Sequence, residues 1–339
     1  MKTKQYRIYL FFICFYLLFF SVLVAIGSFY DPEINKAVFN PENSFAEFFE
    51  IWGEVPRFAM WAPAAAVLLL TRHSLAECFE ILHRLLPFIP VLSKNALETK
   101  AYRLLNFLVN AVEIIGFFVL CVLGWDKLIR NVGKYYVELS KPIWYALSAA
   151  AAVLSIALCS GIPKRILKKL EPLALAGILI GILYCFLPLI KGTVNRVRFR
   201  EMVAFSNGIE NAKDAAVTNS LLSTSDFSLF TQWYQKGNGG AILNGLKIGG
   251  ESCPSGHVLS GTFSLLLPLL CSFFSRLKKF TVFACLLSFI YITVLGFTRM
   301  VRGAHFLTDI SLGAILGMLF FLIALSAFKF FEKKKILPI

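Results

Sequence analysis

Eight apolar stretches run through this chain, each close to the roughly 20 residues that a helix needs to cross a hydrocarbon core. They are residues 7–29, 55–71, 103–125, 142–160, 172–190, 255–275, 280–298 and 309–330. Backbone polar groups in lipid must be satisfied within their own segment, so runs of this kind fold as helices. The composition agrees. The chain is 58% hydrophobic and 16% charged, with a mean hydropathy of +0.71, whereas soluble domains carry about a quarter charged residues. The reading is an all-α membrane protein, a polytopic helical bundle with about 6–8 transmembrane helices. The run 55–71 is the shortest. Residues 75–92 are apolar but broken by charges and Pro, which predicts a helix lying in the membrane interface.

The first run is too long for the apolar region of a signal peptide and lacks a small-residue cleavage pattern, so it is expected to stay as a span. The formal charge is +14, and most of it falls in short connections. Lys2, Lys4 and Arg7, then Arg72, Arg84, Lys94 and Lys100, then Lys164, Arg165, Lys168 and Lys169, then Arg276, Lys278 and Lys279, then Lys333, Lys334 and Lys335 all fall on one side of an eight-span chain. That side is cytoplasmic by the positive-inside rule. Anionic headgroups account for the basic charge, so nucleic acid is not the expected partner. The first connection on the other side, residues 30–56, is acidic, with Asp31, Glu33, Glu42, Glu47, Glu50 and Glu54.

The eight cysteines form no C-x-x-C pair and mostly lie inside apolar runs, so they read as small core residues. Cys253 stands apart in position, yet a structural role suits it. Asn106, Asn110 and Glu113 share one face of a span; an intramembrane carboxylate is costly and often functional, but hydrogen bonding between helices explains the same stripe and is the favoured reading. Gly313 and Gly317 give a small-xxx-small face for close helix packing. The longest connection, residues 191–254, has aromatics at Phe227, Phe230, Trp233 and Tyr234 and a Gly-rich end. It is either a solvated connector with an interfacial anchor or a cover over a headgroup site. No short repeat or low-complexity linker divides the chain. Residues 1–100 read as N-terminal spans with an amphipathic linker, and 101–339 as the domain carrying the chemistry.

Three stretches at the ends of apolar runs then fall on one face: KGTVNRVRF (191–199), CPSGH (253–257) and TRMVRGAHFLTD (298–309). His305 and Asp309 are four apart, a spacing that puts both on one helical face. A carboxylate there can accept the imidazole Nδ1–H and leave Nε2 as a nucleophile. Arg299 and Arg302 stand just upstream, and the planar guanidinium suits phosphate oxygens. Pro254-Ser255-Gly256-His257 opens a span whose first amides have no intrahelical partner, an anion site to which Ser255 adds a hydroxyl and Gly256 close approach. His257 is placed to protonate a leaving oxygen. Lys191 and Arg198 supply fixed cations for a phosphoryl group. Arg196 and Arg200 alternate with Arg198 and could join it at the phosphate or instead face solvent or headgroups. His73 and His83 are the remaining histidines.

This set resembles the type 2 phosphatidic acid phosphatase superfamily, whose pattern is K-x6-R-P, P-S-G-H and S-R-x5-H-x3-D. Lys191 and Arg198 fit the first part with Phe199 in place of the proline. Pro254 to His257 fit the second, and Arg299, His305 and Asp309 fit the third with Thr298 in place of the serine. The resemblance covers about residues 185–330. It implies a six-helix phosphatase core and a metal-independent, cofactor-free lipid phosphatase of a bacterial plasma membrane, acting on its outer, periplasmic face. In this scheme His305 attacks phosphorus, Asp309 orients it and His257 protonates the leaving group. Lys191, Arg198, Ser255, Gly256 and Arg299 hold the phosphate. The implied partners are the bilayer and a lipid phosphate or diphosphate: undecaprenyl diphosphate, phosphatidylglycerophosphate, phosphatidic acid or lipid A. The alternatives are a lipid phosphotransferase using the same phosphohistidine, a transporter that only binds the anion, and a metal site on His257, His305 and Asp309. The surrounding cations oppose the last of these.

Overall fold

The computed structural model describes residues 3–71, 99–136, 140–209, 217–243 and 246–333. The expected interfacial helix at 75–92, together with His73, His83 and Cys78, lies outside the described residues. Twelve α-helices account for nearly all the regular structure there: α1 (Thr3–Val38), α2 (Ser44–Trp52), α3 (Val55–Thr71), α4 (Lys100–Tyr136), α5 (Lys141–Ser160), α6 (Lys164–Tyr184), α7 (Leu187–Val194), α8 (Phe199–Ser206), α9 (Gly256–Gly261), α10 (Leu266–Phe273), α11 (Thr281–Val301) and α12 (Leu307–Lys333). A two-residue antiparallel ladder joins Ile242–Leu243 to Leu246–Lys247.

Among the described residues, seven stretches are long and apolar enough to span a membrane: Tyr6–Val38, Tyr102–Arg130, Lys141–Ser160, Lys164–Val194, Gly256–Phe273, Lys278–Val301 and Leu307–Ala327. The eighth expected run is α3, which has 17 residues. That is the lower limit of a span. Contacts elsewhere bear on it. Asp31 pairs with Arg196, and Glu50 with Arg200, so residues 31–50 and 196–200 share one side of the membrane. Between them the chain crosses an even number of times. Three of the seven candidate spans lie in that interval, and among the described residues α3 is the further apolar helix that would complete an even number.

The chain divides into two compact units. One comprises residues 57–181, 273–275 and 322–339. Its interior is built on small side chains, with Ala62, Ala65, Ala66, Cys121 and Ala152 all buried. Trp125 Nε1 donates to Ser155 Oγ at 2.8 Å. Asn110 bonds back to Asn106 within α4, a structural use of that polar stripe.

The other unit comprises residues 1–56, 182–272 and 276–321, and it holds all three motif stretches. Here α1 presents one buried stripe: Tyr9, Phe12, Tyr16, Phe20, Gly27, Asp31 and Asn35. The steps of three, four and seven are those of a helix face. In the apolar half, Tyr16 and Phe20 meet Phe289 of α11. Tyr9 and Tyr16 donate their hydroxyls to the carbonyls of Pro268 and Ala314, as buried phenols must. The polar end of the stripe enters the candidate site. Gly313 and Gly317 let α12 lie against the 255–262 segment. A Cβ on Gly313 would come within 2.7 Å of the Ser255 carbonyl, and one on Gly317 within 2.3 Å of Thr262 Oγ1.

The described residues of the 191–254 connection fold into this unit. Val217, Phe227, Leu229, Phe230 and Ile248 share a core cluster with Phe39, Phe199, Met202 and Phe306. Trp233 Nε1 donates to Ser28 Oγ of α1 at 2.9 Å. Phe199, where the pattern has proline, is fully buried and stacks on Phe227 with centroids 5.1 Å apart.

Candidate active site

α12 begins at Leu307, so His305 precedes the helix and does not share a face with Asp309. The expected Nδ1–carboxylate bond is absent. His305 Nδ1 instead bonds the Ser252 carbonyl at 2.7 Å. The carboxylate has other work at the helix start. Asp309 Oδ2 accepts from the Phe306 amide at 2.9 Å, the reach-back bond of a helix N-terminus. The same oxygen accepts from Ser252 Oγ in a short bond. Ser252 thus joins the two, its hydroxyl on Asp309 and its carbonyl on His305. A carbonyl only accepts, so Nδ1 carries the proton, and the Nε2 lone pair is left for chemistry. Asn35 Nδ2 donates to the His305 carbonyl at 3.0 Å and fixes the backbone there.

Arg196 does not face solvent. It is fully buried. Its Nη1 donates to Asp309 Oδ1 at 2.8 Å and its Nη2 to Asp31 Oδ2 at 2.9 Å. Nε donates to the Thr231 carbonyl at 2.7 Å, and the guanidinium lies 4.1 Å from the Phe306 ring centroid. Asp31 in turn accepts from Thr308 N and Oγ1. Burial alone would lower the ionisation of Arg196, but Asp309 and Asp31 outweigh it and hold the cation firmly. A Cβ on Gly27 would come within 2.7 Å of Asp31 Oδ1, so only glycine there leaves the carboxylate its room.

A second buried carboxylate organises the arginines. Glu50, near the end of α2, accepts from Arg200 Nη1 and Arg299 Nη2, both at 3.2 Å, and from Arg302 Nε at 2.8 Å. Arg302 also donates to the Pro41 carbonyl. Arg200 and Arg302 are therefore structural cations and not headgroup contacts. Burial raises the Glu50 carboxyl, yet Arg299, Arg200 and Arg302 together hold it well below the usual carboxylate range. The main-chain carbonyl of Glu50 lies 3.2 Å from His257 Nε2. That nitrogen is therefore protonated, and Nδ1 is the one free to exchange a proton. Asn43 caps α2 by accepting from the Ala46 amide at 2.9 Å, which fixes the helix that carries Glu50.

The remaining predicted residues converge on the same place. Lys191, near the end of α7, donates from Nζ to the Glu251 carbonyl at 2.7 Å. Arg198 precedes α8 and comes only within 3.9 Å of Glu201. Its buried Nε has no hydrogen-bond acceptor among the described residues. Burial, and then the like charge of Arg200, pull its ionisation down, the mark of a cation short of counter-charge. His305 is held well below the ordinary imidazole value, first by burial and then by Lys191, Arg299 and Arg198. It is neutral and ringed by positive charge. Ser255 caps α9, accepting from the Val258 amide, while its own amide donates to the Asp309 carbonyl at 2.9 Å. That amide is thus spent on structure. Thr298 Oγ1 bonds back to Leu295 within α11. Cys253 is buried and its thiol is pushed up by that burial, which fits a structural residue. No three His, Cys, Asp or Glu side chains among the described residues gather as a metal site would require.

Asp31, Asn35, Glu50, Arg196 and Ser252 were not among the expected site residues. The acidity of residues 30–56 was the available signal, since those carboxylates share the face of the motif cations. Chemically, the arrangement offers a neutral nucleophilic imidazole, a second imidazole, and cations suited to a tetrahedral oxyanion. Residues 211–333 match the family model described as the PAP2 superfamily. No curated protein and no solved structure matches the chain.

Proposed function

From the match of residues 211–333 to the PAP2 superfamily model, whose members are generally phosphatases, we propose that this chain is a metal-independent lipid phosphatase working through a phosphohistidine. One observation carries the reading: the Nδ1–H of His305 is committed to the Ser252 carbonyl, so Nε2 is an available nucleophile. The cations that keep His305 neutral are those suited to hold the phosphate. Nε2 attacks phosphorus, the P–O bond to the lipid breaks, and protonated His257 gives its Nδ1 proton to the leaving oxygen. Water then attacks the phosphohistidine with His257 as base, inorganic phosphate leaves, and His305 is restored. Lys191, Arg198 and Arg299, the Ser255 hydroxyl and the Gly256 amide stabilise the charge that builds on the equatorial oxygens. Asp309 acts through Ser252 and does not touch the imidazole. The positive-inside pattern supports a site facing away from the cytoplasm.

The test is phosphate release by the purified full chain from a panel of lipid mono- and diphosphates. His305→Ala lowers turnover by about 1,000-fold or more, and a labelled substrate leaves acid-labile label on the wild-type chain. Label passing only into a second lipid identifies a phosphotransferase instead. Retained phosphate release by His305→Ala refutes the phosphohistidine.

A further inference from the structure

A groove of about 610 Å³ opens beside the phosphate site, within the roughly 300–1,000 Å³ of small-molecule sites. One wall is a stripe of α12: Leu312, Ile315, Leu316 and Leu319. This face is not the one that α12 packs through Gly313 and Gly317, and Leu319 is exposed. The facing wall is Ile190 and Val194 of α7.

Each wall is joined by covalent chain to a residue of the candidate phosphate site. Ile190 immediately precedes Lys191. Cys253 and Pro254, which also line the groove, lie between Ser252, which holds His305, and Ser255. Leu312 is one helical turn after Asp309. The groove therefore starts where the phosphate is held and runs along the apolar part of a membrane span. Trp233, pinned to Ser28, stands at its border, a position suited to the headgroup level.

We infer that this groove receives a hydrocarbon chain of the lipid whose phosphate His305 attacks, and so acts as the ruler for chain length. The inference rests on the phosphatase reading. A seated chain fixes phosphorus against Nε2 with binding energy drawn from a part of the substrate that does not react. A phosphate ester without a chain binds through charge alone.

The experiment compares ethyl and octyl phosphate as substrates of the detergent-solubilised full chain. Each methylene seated in the groove raises kcat/KM about fourfold. Leu316→Trp fills the groove. Excluding two methylenes lowers the octyl-to-ethyl ratio about 15-fold, with ethyl phosphate hydrolysis unchanged. Leu316→Ala leaves the groove open and keeps the ratio within about threefold of wild type. Partition of octyl phosphate into detergent is the same for all three proteins, so it cancels. An unchanged ratio in Leu316→Trp overturns the inference and leaves ordinary bilayer lipid as the occupant. A second readout does not depend on turnover or on a bulky variant. A non-hydrolysable alkyl phosphonate brominated in its chain quenches Trp233 fluorescence, and the quenched component disappears in Trp233→Phe. Equal quenching in both proteins overturns the inference. Failure of the wild type to release phosphate from either ester, with quenching of Trp233 intact, refutes the phosphatase reading and spares the groove.

Discussion

Glu50→Gln tests the electrostatic design most directly. The substitution keeps shape and one carbonyl oxygen but removes the charge that three guanidiniums share. Their bonds to Glu50 measure 3.2, 3.2 and 2.8 Å. The Arg200 side chain is 9% exposed, Arg299 4% and Glu50 8%. Removing one partner of a buried ion pair costs about 3–5 kcal/mol, because the other charge stays buried and uncompensated. Arg302, at 19%, contributes less because water reaches it. For a unit of this size each kcal/mol moves the melting temperature by about 2–4 °C, which gives a fall of roughly 6–20 °C. His257 is not disturbed directly, since it bonds the main-chain carbonyl of residue 50. The uncompensated arginines should then find their counter-charge in the ligand. Inorganic phosphate at 100 times its Kd stabilises a one-site protein by about 2.7 kcal/mol. In Glu50→Gln the affinity rises, so phosphate restores more of the lost stability than it adds to wild type. The assay is thermal unfolding followed by tryptophan fluorescence at one scan rate, with and without phosphate. A melting temperature within about 2 °C of wild type refutes the reasoning, as does an equal phosphate shift in both proteins.

Three further outcomes follow from the same contacts. Asp31→Asn breaks the ion pair to Arg196 and costs about 3–5 kcal/mol of stability; turnover falls although Asp31 touches no substrate, and unchanged melting refutes its role as counter-ion. Ser252→Ala cuts the link from Asp309 but keeps the carbonyl that holds His305, so kcat falls roughly 5- to 150-fold for about 1–3 kcal/mol, with KM unchanged in steady-state assays of phosphate release. His305 is buried with its folded pKa well below the ordinary value; as pH falls below about 6.5 the unfolded chain takes a proton that the folded chain refuses, and stability drops by up to about 1.4 kcal/mol per pH unit. His305→Gln flattens that slope in unfolding experiments between pH 7.5 and 5, and an unaltered slope counts against a neutral buried imidazole.

The helices were legible because apolar length alone dictates them, and the three motif stretches were legible because their residue types are rare at membrane edges. The direct His305–Asp309 bond was not. Spacing in sequence implies a shared face only where the helix already exists, and α12 starts two residues after His305. A carboxylate at that point has a stronger local use in holding the Phe306 amide. The placing of Arg196 and Arg200 was not legible for a different reason: alternate positions in an irregular segment carry no preferred face, and their partners lie 165 and 150 residues away. Asp31 and Asn35 did carry a signal. They continue the helical phase of Tyr9, Phe12, Tyr16 and Phe20, so the stripe that buries aromatics also buries them. A buried carboxylate on such a stripe requires a cation, and Arg196 supplies it.

The distribution of counter-charge explains why the site draws on residues well before the matched segment. His257, Arg299, His305 and Asp309 all lie within residues 211–333. Alone, they would leave Arg299 without Glu50 and Asp309 without Arg196, each a buried charge lacking its partner. α1 and α2 bring Asp31 and Glu50, and the segment between α7 and α8 brings Arg196. With these commitments made, Lys191 bonds only a backbone carbonyl, and Arg198 has Glu201 no nearer than 3.9 Å. These are the two cations of the set not directly bonded to a carboxylate among the described residues. A phosphate group brings about 1.5 to 2 negative charges at neutral pH. The resting site is thus short of about the charge that its proposed substrate delivers, and a protein built merely to cover its cations would have paired those two as tightly as the rest.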